Sequence, residues 1–146
     1  MTSSVQKSIF SFLAILGLLF VMPTEAAGKR SQSKQLVVAQ SKYFSAIRWN
    51  EFELAWTYVD PAYRTEHPLT DLDKERFKQI QVTGYEEKLQ DVLADGSVEV
   101  TVEIRLINKN TQVERVIRDT QIWRWDAGAK RWWLSTGLPD FTAKPY

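Results

Sequence analysis

The 146-residue chain contains no cysteine and a single histidine. Without cysteine there can be no disulfide, no thiolate metal ligand, no thiol nucleophile and no lipid-bearing cysteine of a bacterial lipoprotein. With one imidazole, His67 lacks the companion ligands that a metal site combines, and its place beside Pro68 in a polar stretch reads as an exposed loop. There is no Gly-rich phosphate loop, no G-x-S-x-G elbow and no serine–histidine constellation. Charge of one sign is also missing: 19 basic and 18 acidic residues leave a formal charge of +1. A nucleic-acid partner, whose affinity draws on phosphate neutralisation by a basic face, is therefore not expected. Basic and acidic residues alternate in ERFKQ, EEKLQD and VERVIRD, the pattern of a solvated sheet face. Neither a metal nor a cofactor is expected.

The one long apolar run, Ile9 to Met22, follows Lys7 and ends at Pro23, with Thr24 and Ala26 at the small-residue positions of a cleavage site. Residues 1–26 accordingly read as a secretory signal peptide. Fourteen helical residues reach about 21 Å against a hydrocarbon core of roughly 30 Å, which favours cleavage over anchoring. Lys29 and Arg30 just past the site keep an uncleaved anchor as the alternative. The expected location is periplasmic or secreted, with no stable membrane insertion after cleavage.

Residues 27–34 are polar and aperiodic and predict a flexible lead-in. From Gln35 the spacing of Leu36, Val37, Gln40, Tyr43, Phe44 and Ile47 predicts a helix. Asn50, with Glu53 three residues on, predicts the capping box of a second helix that Asp60-Pro61 breaks. PAYRTEHPL predicts a loop with an extra turn, and Thr70 with Asp73 predicts the cap of a short third helix, DLDKERFKQ. The period then changes. Val98, Val100, Val102, Ile104 and Leu106 alternate with polar residues, predicting a strand with one buried and one wet face. Further strands are predicted over Tyr85–Leu93, Gln112–Trp125 and Arg131–Thr136, the last two joined by the turn Asp126–Lys130. In that hairpin, alternation sets Trp123, Trp125, Trp132 and Leu134 toward the core and Trp133 outward. Helices first and short-linked strands after them imply an α+β fold with an antiparallel sheet.

VVAQSKYFSAIRWNEFELAWTYVDP, residues 85–107 and TQIWRWDAGAKRWWL resemble the paired helices, long bent hairpin and closing hairpin of the nuclear-transport-factor-2-like superfamily. The resemblance implies a domain over residues 35–141, a tail over 142–146, and N-terminal helices packed on a strongly curved, cone-like antiparallel sheet. It implies architecture and leaves activity open. A concave pocket in such a cone would be lined by Tyr43, Ile47, Trp56, Tyr63, Phe77, Trp123 and Trp132. The leading expectation is thus an exported non-catalytic module whose apolar, aromatic pocket takes an apolar small molecule or a partner-protein segment. Two alternatives stand beside it. One is a small-molecule isomerase or hydrolase in which Tyr43 and Asp60 handle a proton and an oxyanion; the other is a structural homodimer.

Overall fold

The computed structural model describes residues 24–143. Four helices precede four strands: α1 (Thr24–Arg48), α2 (Phe52–Trp56), α3 (Pro61–Glu66), α4 (Asp71–Lys78), β1 (Ile80–Val92), β2 (Val98–Asn108), β3 (Glu114–Asp126) and β4 (Arg131–Leu134). The apolar run and most of the expected signal peptide lie outside the described residues. Among the described residues, no helix is long and apolar enough to cross a membrane.

α1 begins earlier than its apolar periodicity. Residues 27–34, expected as an irregular lead-in, form its first turns. Ala, Lys, Arg and Gln are good helix formers, no proline interrupts them, and Glu25 sits favourably in the first turn. The indole of Trp132 also donates to the Gln32 carbonyl at 2.9 Å, fastening this polar portion to β4. At its other end α1 stops at Asn50, which does not cap α2 as expected. Asn50 has φ +61°; its N–H bonds the Ile47 carbonyl and the N–H of Glu51 bonds that of Ala46, a Schellman closure with Asn in the left-handed position. Its side chain is thereby free to pair with β1, donating to the Ile80 carbonyl and accepting from the Val82 N–H. α2 is reduced to five residues. The Thr70–Asp73 capping box of α4 forms as expected.

The strands follow one another in a meander, β1-β2-β3-β4, every pair antiparallel. The sheet is open and not strongly curled, so the expected cone, and with it the likeness to the nuclear-transport-factor-2-like superfamily, is corrected. Strand geometry accounts for the difference. Bulges bend strands, yet β2 and β3 pair over ten consecutive positions without one; the irregularities lie only in β1, at Val82/Gly84 and Glu87/Leu89. β4, with four residues, is too short to carry the curl round. Beyond β4, among the described residues, the sheet is continued only by a parallel bridge between Val59 and Leu134.

The helices cover one face. The β2 row Val98, Val100, Val102, Ile104 and Leu106 is buried against them, together with Leu36, Tyr43, Ala46 and Ile47 of α1. Within the same core Phe52, Phe77 and Phe141 stack, with neighbouring ring centroids 4.8–5.8 Å apart. The opposite face is the expected charged ladder: Glu103 lies between Lys88 and Arg118, and Arg105 meets Glu114. Such exposed pairs keep a sheet face wet and add little stability.

The tryptophan hairpin adopts the expected facing. Trp123 pairs with Leu134 and Trp125 with Trp132, and Trp123, Trp132 and Leu134 are buried. Trp133 does lie on the outer face, yet it too is buried: Arg131 stacks 3.8 Å over its ring and its indole donates to Asp126. The tryptophans of this hairpin are therefore structural on both of its faces.

Candidate functional site

The seven aromatic and apolar residues expected to share one concave pocket are divided among three places. Tyr43, Ile47 and Trp123 are fully buried in the core. Trp132 closes the floor of a groove between α1 and β4. Trp56, Tyr63 and Phe77 border a separate cavity of about 280 Å³ with His67, Leu138 and Phe141. There Gly137 is obligatory: its φ is +78°, and a Cβ would stand 2.6 Å from the Tyr63 hydroxyl. The apolar pocket of the leading expectation, built on sheet curvature, does not form.

Asp60, the acid of the isomerase alternative, is engaged elsewhere. It caps α3 by accepting from the Ala62 N–H at 2.8 Å and forms an ion pair with Arg124. Burial alone would raise its pKa, but the Arg124 and Ala62 hydrogen bonds outweigh that and hold it below the usual carboxylate range. The acid and Tyr43 do not form a catalytic pair: Tyr43 meets Tyr58 and Trp123 edge-on, at 6.3 and 5.5 Å between centroids.

A different constellation does converge. Reading β3 inward from Trp123 by twos gives Gln121, Asp119 and Ile117, which face Val100, Val102 and Ile104 of β2. Across β2, Gln90, Glu87 and Tyr85 of β1 face the same three residues. The central row is apolar, while both neighbours are polar at the level of Val100 and Val102. α1 shelters only part of this region, because its buried stripe falls at Leu36, Tyr43, Ala46 and Ile47. Val37 and Phe44, expected within the stripe, are 63% and 39% exposed. Turned aside, they become the wall of a cleft of about 380 Å³, lined further by Gln40, Ser41, Tyr85, Glu87, Gln90, Val100 and Gln121. The Phe44 ring stands on Tyr85 at 4.8 Å, and Gln40 reaches Gln90 at 3.1 Å.

Gln121 organises the floor. The Trp123 indole can only donate, and it donates to the Gln121 carbonyl oxygen at 3.3 Å. The amide nitrogen must then point the other way, where it donates to the Tyr85 hydroxyl at 2.7 Å and to Asp119 at 3.1 Å. Asp119 is half-buried, and burial lifts its pKa to about 6 despite the Gln121 hydrogen bond. Behind it, the fully buried Tyr43 hydroxyl has no hydrogen-bond partner. Its pKa is raised by burial first and then by the nearby charges of Asp119 and Tyr85. A buried hydroxyl left unsatisfied costs about 1–3 kcal/mol. No Lys or Arg lines the cleft. Chemically the cleft offers the Glu87 carboxylate, hydroxyl and amide oxygens, and apolar walls, with the Asp119 carboxyl behind the Gln121 amide.

Among the described residues, no group of three or more His, Cys, Asp or Glu side chains is placed to hold a metal ion. No protein-family model, curated protein or solved structure matches the chain. Asp119, Gln121 and Tyr85 were not singled out by sequence reasoning. The signal was there: Asp119 and Gln121 share strand parity with Trp123 and Ile117, so the hairpin facing already turned them inward.

Proposed function

We propose that the chain is an exported recognition domain that binds a small organic amine, an ammonium group attached to an apolar body, in the cleft between α1 and the inner face of β1–β3. The observation that carries this reading is a half-buried carboxyl, Asp119, behind a cleft lined with side-chain oxygens and no cation. An ammonium supplies donors to Glu87 and the Tyr85 oxygen, the Asp119 charge acts from behind Gln121, and Val37, Phe44 and Val100 enclose the apolar part. Partial burial strengthens the charge interaction relative to open solvent. Export rests on the N-terminal sequence: an apolar run too short to span comfortably, followed by small residues at a cleavage position.

Titrations with benzylamine, benzyl alcohol and benzoate at pH 7.5 test the reading directly. Benzylamine should bind at least tenfold more tightly than the alcohol, benzoate should not bind, and Asp119→Asn should remove the preference. Equal affinity for amine and alcohol, or a preference that persists in Asp119→Asn, would sink it. N-terminal sequencing of the protein recovered outside the cytoplasm should show a start near Ala27.

A further inference from the structure

On the opposite flank of α1 lies a second, more open groove of about 450 Å³, between the helix and β4. Its base is made by Trp132 and Tyr58, and Val38, 52% exposed, forms an apolar step on the helix side. Lys34, Lys42 and Arg131 border it, and no carboxylate does. Among the described residues these three cations form no ion pair. Arg131 instead stacks on the Trp133 ring. The Trp132 indole is held by the Gln32 carbonyl, so the base of the groove is set by the fold.

Unpaired positive charge beside an aromatic floor calls for an anionic occupant with an apolar portion. Eight residues of helix separate Lys34 from Lys42, about 12 Å along the axis. That span suits carboxylates three or four residues apart on an extended chain, at about 3.3–3.6 Å per residue. A planar bilayer could meet the lysines at the rim but could not enter the trough to reach Trp132. We infer that this groove docks an acidic peptide segment of a partner protein, with one aromatic or aliphatic side chain seated over Trp132 between two acidic residues.

Fluorescence anisotropy with the full chain and a labelled Glu-Gly-Phe-Gly-Glu peptide tests the site, with the Gln-for-Glu peptide and anionic phosphatidylglycerol vesicles as separate arms. The acidic peptide should bind, weaken as salt rises, and lose at least tenfold in affinity in the Lys34→Glu/Lys42→Glu double variant. Both lysines are exposed, so the variant should keep the wild-type unfolding transition and the wild-type response to benzylamine. No binding of the acidic peptide, equal binding of its Gln counterpart, binding that survives the double reversal, or binding to vesicles alone each overturns the inference.

Discussion

The two flanks of α1 rest on the same sheet and differ in almost every property that decides what can lie beside them. At about 100° per residue, Leu36, Tyr43, Ala46 and Ile47 form the stripe that points at the sheet. Val37, Gln40 and Phe44 turn roughly 90° to one side, and Lys34, Val38 and Lys42 turn roughly 140° to the other. On the first side, the helix adds apolar walls to a floor whose oxygens come from β1 and β3. On the second, it adds cations to a floor whose rings come from β4 and the α2–α3 connection. Placement of charge thus distinguishes the flanks where overall composition, nearly neutral, does not. A chain with a net charge of +1 still presents two local fields of opposite sign.

The largest expected effects test whether the two floors are equally structural. Trp123→Ala beneath the acidic side and Trp132→Ala on the basic side should each cost about 3–5 kcal/mol in denaturant unfolding. A loss below about 1 kcal/mol at Trp132 would break the symmetry and show that its ring serves the groove rather than the core.

Tyr43→Phe sharpens the contrast in the other direction. Deleting a buried hydroxyl that has no partner should raise stability by about 1 kcal/mol. A destabilised variant would mean that the hydroxyl is satisfied in the free protein.

A smaller effect concerns pH. Burial lifts the Asp119 pKa from 3.8 to about 6, so the folded state keeps the proton longer than the unfolded chain does. The stability this provides is complete below about 3.8 and is lost as the pH rises through 6. Asp119→Asn lacks that loss. Its unfolding midpoint should exceed the wild-type value at pH 8, and the gap should close toward pH 4. Parallel pH profiles for the two proteins would place Asp119 in solvent.

Smallest of all, Lys34→Ala should change stability by less than about 0.5 kcal/mol, because an exposed, unpaired lysine contributes to charge and not to packing.

Much of the fold was legible where a short-range rule governs it. Alternation in Val98–Leu106 identified the inner row of β2, Thr70 with Asp73 marked the start of α4, and the facing of Trp123, Trp132 and Leu134 followed from strand parity. Curvature was not legible, since it depends on bulge positions and strand lengths fixed only when strands pair. Asn50 shows a similar limit: its residue type fits a helix start and a left-handed helix end equally, and contact with Ile80 and Val82 decides between them. The burial of Trp133 was missed because the cover comes from a cation, Arg131, on its own strand. Of the candidate sites, the expected lining was chosen by ring chemistry and is divided among the core, a groove floor and a separate cavity. The residues that converge were polar ones on inward-facing positions, which an emphasis on aromatics passed over.

α1 supplies one wall to each groove, and a helix moves as a rigid body more readily than it deforms. Were α1 to shift over the sheet, the trough beside β4 and the cleft beside β1 would change width in opposite senses, because Val38 and Phe44 project from the same helix. Ligands that moved it would then be linked, and thermodynamic linkage would make the influence equal in both directions. Under that condition an amine in one groove and an acidic segment in the other would compete for the position of a single shared wall.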